Sequence, residues 1–388
     1  MDEPAGTSVR SVADIRRVVE VRFPVYDMRF DEHVVHLYVT PDPATLEAQF
    51  SALKDDLKRV GLVPLLRYEG GEHSIYVVHK PQRRFRSTRV NLVLFVLTWI
   101  TTTLAGAIIH LGYTHPGLEV GYWERWALAV SAPHLVGGFL TFALPLMLIL
   151  TVHEMGHYVL SRRHGMEASL PFFIPLPPIL SGGLPLGTLG AFISMREPMP
   201  NRKALLDIGI AGPIAGFIVA IPVLVVGMLL MQAHPVHIDA EPGSVARLGT
   251  PLIYDLLAAP FGFPETQLAT PTVLAGWVGL FVTAINLFPA GQLDGGHVAS
   301  ALLGDRARFL SYATVALLVV LGLFGLPFLG IAPYDGWLMF ALVIAFLGIN
   351  HPPTLDSVSG VDRTRVFYGA VGVAMFVLCF TPVPFSTG

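Results

Sequence analysis

The chain has 388 residues, of which 53% are hydrophobic and 14% charged, and its mean hydropathy is +0.60. That is too apolar for a soluble globular protein and points to an integral membrane protein. The net charge of -3 favours neither acidic nor basic partners, and no basic stripe interleaved with aromatics marks a nucleic-acid surface. The lone cysteine, Cys379, excludes an intrachain disulfide and a cysteine-built zinc site, so any metal must be held by His and carboxylates.

In chain order, residues 1–88 read as a small α+β domain. A short helix is expected near 10–20, then a strand alternating through Val34, His36 and Tyr38, and a helix through Leu46, Phe50, Leu53 and Leu57. Two strands near 63–68 and 74–79 are separated by the turn Glu69-Gly70-Gly71-Glu72. Nothing in this domain carries catalytic chemistry, and a regulatory role is its natural reading. The acidic start has no apolar run behind it, so no cleavable signal or transit segment is expected and the first span directs insertion.

Residues 89–388 read as a mainly α, polytopic membrane domain. Candidate spans lie at 90–112, 134–161, 204–231, 271–288, 309–330, 335–350 and 366–382. Each is near the roughly 20 residues that cross the hydrocarbon core, giving about seven spans with six to eight as the range. Arg83, Arg84, Arg86 and Arg89, then Arg162/Arg163, Arg196/Arg202/Lys203, Arg306/Arg308 and Arg363/Arg365 mark loops on one side, whereas the opposite loops hold only Arg125 and Arg247. By the positive-inside rule the amino-terminal domain is cytoplasmic and the carboxyl terminus lies outside. A prokaryotic cytoplasmic (inner) membrane is the expected location.

Two stretches break the helical pattern. Residues 170–195 hold Pro171, Pro175, Pro177, Pro178 and Pro185 with Gly182, Gly183, Gly187 and Gly190, too irregular for a helix and too apolar for a solvated loop. Non-helical backbone at membrane depth must be buried in protein or line a cavity. We therefore read Gly187-Thr188-Leu189-Gly190-Ala191-Phe192-Ile193-Ser194 as a strand of a re-entrant, β-like loop. The second break, Pro289 with Gly291, ends the fourth span and lets Asp294 turn inward.

The chemistry sits at these breaks. His153-Glu154-Met155-Gly156-His157 ends an apolar run, and two histidines four apart share one helical face, where they can grip a zinc ion. A hydrolytic zinc takes three protein ligands and leaves one position open; Asp294 is the expected third ligand. Glu154, on the same turn, is the expected general base, and Asn286 is placed to hydrogen-bond substrate backbone or a developing oxyanion. The bland reading, two structural histidines at an interface, must explain His, Glu and His buried together in an apolar setting, which is costly without a function. His297 is an alternative ligand to Asp294, and His351 reads as a loop residue. Asp207 reads as interfacial, and Gly209, Gly212 and Gly216 as a helix-packing face. A metal transporter or metal-dependent scaffold built on the same His/Asp set is the alternative function, but no second constellation or internal repeat supports it.

At His153-Glu154-Met155-Gly156-His157, and at Asn286, Pro289 and Leu293-Asp294-Gly295, the chain resembles the site-2 protease family of intramembrane zinc metalloproteases. The resemblance spans about 134–304, with Gly212-Pro213 resembling the family's third core helix. It implies Zn2+ held by His153, His157 and Asp294, with Glu154 catalytic, and cleavage within or near transmembrane segments of membrane proteins. It further implies that Gly187, Thr188, Leu189, Gly190, Ala191 and Phe192 clamp an unwound substrate as an added strand, a mode with independent physical sense. The partners implied are a transmembrane substrate and the lipid bilayer, with homo-oligomerisation left open. The loop sequence looks most like the branch related to plant plastid proteins named for yellow-green, gravitropism-deficient mutants. The outer segment 233–270 leaves no room for a PDZ domain, and no CBS pair follows the last span.

Overall fold

The computed structural model describes residues 11–31, 34–80, 88–180, 185–195, 197–238 and 246–387. Arg83, Arg84, Arg86, Gly182, Gly183 and Arg196 of the sequence reading lie outside the described residues. The chain divides into two compact units: Met1–Phe85 with Glu197–Leu205 and Pro352–Arg363, and Arg86–Arg196 with Leu206–His351 and Thr364–Gly388.

The first unit holds α1 (Val12–Glu20), β1 (Val25–Phe30), β2 (Val34–Val39), α2 (Leu46–Lys58), β3 (Leu62–Glu69) and β4 (Glu72–His79). Ser11 caps α1, its hydroxyl accepting from the Asp14 backbone N–H at 3.2 Å. The strands form one antiparallel sheet in the order β1-β2-β4-β3. Residue pair Glu69/Glu72 closes the β3–β4 hairpin, with Gly70 and Gly71 at φ 62° and 87°, the left-handed geometry a two-residue hairpin turn requires. Strand β1 is an addition to the sequence reading. It is an edge strand with a register break between Val25 and Asp27 and faces that do not alternate cleanly, so it lacks the period-2 signal. In β2 the alternation is present, with Val35, Leu37 and Val39 in the core and His36 and Tyr38 on the opposite face.

That core also takes Leu355 from the distant 352–363 segment. The Leu66 backbone N–H donates to Leu355 O at 2.7 Å, and the Arg67 guanidinium donates to the Thr354 and Leu355 carbonyls. Segment 197–205 is tied in by Glu197, which accepts from Lys58 and Lys80, and by Lys203, paired with Glu47. The unit is therefore discontinuous in sequence, whereas the sequence reading stops it at residue 88.

The second unit is helical: α3 (Thr88–Thr114), α4 (Tyr122–Ala129), α5 (Ala132–Gly138), α6 (Leu144–Arg163), α7 (Arg202–Ala233), α8 (Leu252–Ala258), α9 (Pro271–Asn286), α10 (Asp294–Leu303), α11 (Ala307–Leu323), α12 (Gly336–Leu347) and α13 (Arg363–Cys379), with hairpin strands β5 (Phe172–Pro175) and β6 (Thr188–Phe192) and a terminal pair β7 (Ala246–Leu248) and β8 (Phe385–Thr387). A π-helical segment, Phe139–Ala143, joins α5 to α6. Among the described residues four helical stretches are long and apolar enough to cross a membrane: Thr88–Thr114, Ala132–Arg163, Arg202–Ala233 and Asp294–Leu323; Pro271–Asn286 and Gly336–Leu347 are shorter apolar helices. The last of these four stretches begins at Asp294 and ends at Leu323, where the sequence reading expected a span at 309–330; Gly325, at φ 63°, stands just past its end.

Asp207 is not merely interfacial. It accepts two hydrogen bonds from Arg365 at 2.9 and 2.6 Å and faces His164 Nε2 at 3.0 Å, tying α7 to α13 and to the end of α6.

Candidate metal centre

Helix α6 carries the first half of the site. Its fourfold spacing places His153 and His157 on one face, and both are buried, as is Glu154 between them. The second half comes from the break after α9. The helix stops at Asn286, the chain turns through Phe288-Pro289-Ala290 with Gly291 at φ 55°, and α10 restarts with Asp294 as its first residue. The glycines after Asp294 are sterically required: a Cβ on Gly295 would lie 2.1 Å from Leu287 O, and one on Gly296 2.4 Å from Gly291 O. A carboxylate at a helix start is favoured by the helix dipole.

These elements converge on a triangle of donors. Asp294 Oδ2 lies 3.3 Å from His153 Nε2 and 3.3 Å from His157 Nε2, and the two histidine nitrogens are 3.3 Å apart. A tetrahedral zinc with bonds of about 2.0–2.1 Å puts its donor atoms about 3.3 Å apart. The three side chains thus form a set that fits one small divalent ion, and no other three His, Cys, Asp or Glu side chains bring their ligand atoms this close together among the described residues. His157 Nδ1 is 2.7 Å from Ile208 O; donation to that carbonyl leaves Nε2 as the free lone pair facing the triangle. The Asn286 amide nitrogen lies 3.2 Å from His153 Nε2, at the edge of the donor set.

Helix α7 is the floor. A Cβ on Gly212 would stand 2.1 Å from His157 Nε2, and one on Gly216 3.0 Å from His153 Nδ1. On Gly209 it would meet His297 Cβ at 2.8 Å and Asp294 O at 3.2 Å. The glycine face therefore does more than pack helices: it leaves room for the histidine rings and for the start of α10. The sequence signal was available, since Gly209, Gly212 and Gly216 repeat at helical spacing as the histidines do. His297, the alternative ligand, stays outside the triangle, with its Nδ1 2.6 Å from His351 Nε2.

Part of the predicted Gly187–Ser194 strand forms, as β6 (Thr188–Phe192). β6 pairs antiparallel with β5, Phe172 opposite Phe192 and Phe173 opposite Ala191, and runs alongside α6. Thr188 Oγ1 donates to Ile174 O at 2.9 Å, and Thr101 Oγ1 of α3 donates to Gly187 O at 2.6 Å. Gly187 is tight, since its Cβ would lie 2.5 Å from Thr101 O. Leu189 and Phe192 are 67% and 51% exposed. The hairpin has two strands, and β6 pairs with β5 alone among the described residues.

Together these features define a polytopic helical membrane protein with a buried two-histidine, one-carboxylate centre and an adjacent glutamate. Residues 141–328 match the model of Peptidase family M50. The chain is similar to the probable zinc metalloprotease EGY1, chloroplastic, of Arabidopsis thaliana, with 28% identity over 76% of this chain and 53% of the relative. It is similar to the rice (Oryza sativa subsp. japonica) protein of that name at 30% identity, over 76% and 50%, and to the probable zinc metallopeptidase EGY3, chloroplastic, of Arabidopsis thaliana at 30%, over 66% and 43%. The chain spans about half the length of the first two of these relatives. No solved structure matches it. Over residues 141–328 the chain is thus similar to the site-2 protease family, and over a longer stretch to these plant proteins.

Proposed function

We propose that this protein is a zinc-dependent intramembrane endopeptidase that hydrolyses peptide bonds within or near transmembrane segments. The observation that carries the reading is the 3.3 Å triangle of His153, His157 and Asp294 with Glu154 buried beside it. The relatives' names, each a probable zinc metalloprotease or metallopeptidase, support the choice of metal. Zinc, when bound, supplies Lewis-acid polarisation of a carbonyl and acidification of water. Glu154 takes the proton of the attacking water and returns it to the leaving amine. The Asn286 amide donates to the scissile carbonyl oxygen as negative charge develops there. Substrate adds to β6 at Gly187–Phe192 as an extended strand, so its backbone is unwound before it reaches the centre.

The orientation with residues 1–88 cytoplasmic and the carboxyl terminus outside is supported by the positive loops. The β7–β8 pairing, Ala246 with Thr387 and Leu248 with Phe385, also supports it, because it needs the 233–270 segment and the carboxyl terminus on one side. The membrane concerned would be a prokaryotic cytoplasmic membrane. The 1–88 domain, joined by 197–205 and 352–363, would be regulatory, and self-association is compatible with this reading.

The test is cleavage of reporter transmembrane segments by purified protein in detergent, wild type against Glu154→Gln, with zinc measured in both. We expect equal zinc and a loss of cleavage of about 10²–10⁴-fold in the variant. Undiminished cleavage by Glu154→Gln would overturn the assignment, and a transport or scaffold role would then be the better reading.

A further inference from the structure

A second imidazole cluster stands apart from the centre on α6. His110 of α3 and His134 of α5 bring their Nδ1 atoms to 3.1 Å. His115, one residue past the end of α3, meets the His134 ring edge-on at 5.5 Å between centroids.

Glycines build this meeting. Where α3 and α5 cross, a Cβ on Gly106 would lie 2.4 Å from Gly138 O, and one on Gly138 2.2 Å from Ala107 N. Backbone therefore touches backbone. Four residues on from Gly106 comes His110, and four residues before Gly138 comes His134, so each ring stands one turn from the crossing on the same face. Gly137 makes the space the His110 ring fills, since a Cβ there would lie 2.3 Å from its Nε2. His110 and His134 are half-buried and His115 is exposed, so an ion can arrive from water.

The cluster lies at the far end of the long helix from the HExxH turn. α5, the π segment and α6 run as one helical stretch, Ala132–Arg163. The 19 residues from His134 to His153 correspond to about 28 Å at the α-helical rise, close to the ~30 Å of bilayer hydrocarbon. Neighbouring α4 exposes Tyr122 and Trp123, residues that favour a membrane interface.

Two neutral imidazoles 3.1 Å apart share one proton between facing nitrogens; deprotonated there, both present lone pairs to one point. Their separation is near the donor spacing of about 3.3 Å around a tetrahedral zinc. We propose that His110 and His134 hold a second divalent transition-metal ion, distinct from the α6 centre, with exposed His115 turning from its contact with Thr114 Oγ1 at 3.0 Å to complete the set. An all-imidazole set suits zinc, copper(II) or nickel(II) rather than magnesium or calcium. Bound there, the ion links α3 to α5. Helix α3 is also the brace of the β5–β6 hairpin, through Thr101 to Gly187 O and through the Asn91 amide, which donates to Leu170 O at 2.7 Å. Occupancy at one membrane face thereby stiffens the support of the hairpin near the other.

The experiment uses the untagged full chain in detergent, stripped by chelator and dialysed against buffered zinc, with metal counted by mass spectrometry. Wild type should hold two zinc ions, the His110→Gln/His134→Gln variant one, and the His153→Gln/His157→Gln variant one, so loss of either site is read separately. His115→Ala, at an exposed position, should weaken the second zinc at least 10-fold without altering the melt, which covers the event that the double variant misfolds. A wild type that holds a single zinc, or a second zinc whose affinity is unchanged in His115→Ala, overturns the proposal.

Discussion

Gly212→Ala is the sharpest probe of the metal centre because it adds one methyl group and removes nothing. Alanine is favoured over glycine in a helix interior by about 1 kcal/mol, so α7 on its own should gain. The added Cβ, however, would sit 2.1 Å from His157 Nε2. Reaching ordinary contact requires a relative shift of more than about 1.3 Å. Overpacking of this kind costs about 1–3 kcal/mol, and a 1 Å misplacement of a reacting group costs about 10²-fold in rate. Gly216→Ala offers a graded comparison, since its Cβ would stand 3.0 Å from His153 Nδ1 and needs only a small adjustment. Gly112→Ala on α3 is the control, with nothing within 4 Å of its Cβ. Zinc content, thermal melting and reporter cleavage should be measured for all three in detergent. The expected order of damage to zinc affinity and cleavage is Gly212→Ala, then Gly216→Ala, with Gly112→Ala unchanged. Full zinc and cleavage in Gly212→Ala, or a greater loss in Gly216→Ala, would refute the steric reasoning.

Two further outcomes test the first unit. Leu355→Ala removes a side chain that is 5% exposed in the core of the α+β unit and should destabilise that unit by about 2–5 kcal/mol; limited proteolysis within residues 11–80 reads it, and an unchanged cleavage rate would count against a shared core. Burial of Glu197 pushes its carboxyl up, but hydrogen bonds from Lys80 and Lys58 outweigh this and hold it below the usual carboxylate range. Its folded-state affinity for protons is thus depressed. The contribution to stability is present above the ordinary glutamate value of about 4.3 and is lost as pH falls through the lower folded value. Resistance of the unit to an acid-active protease should accordingly fall between pH 5 and 3 in wild type, and Glu197→Gln should flatten that part of the profile; an unflattened profile would assign the acid sensitivity to other groups.

The sequence by itself carried the membrane character, because apolar length is a local property that hydrocarbon thickness selects. It carried the candidate metal-binding pair too, since His153 and His157 sit four apart and helical geometry puts such residues on one face wherever the helix lies. The β6 strand was legible for a similar reason, since proline and glycine forbid the helix and membrane depth forbids an open loop. Asp294 was harder, because its approach depends on a turn after Asn286 and on the backbone clearance that Gly295 and Gly296 allow. What only the tertiary structure decided were meetings between segments far apart in sequence. Gly212 and Gly216 as floor of the histidines, Leu355 in the core built around Leu37 and Phe50, and His110 against His134 at a glycine crossing are all of this kind. In each case the deciding quantity is a separation between two backbones, set by the packing of whole helices and strands, and no local propensity encodes it. Strand β1 was missed on different grounds: an edge strand with a bulge and little burial lacks the alternation by which a strand announces itself.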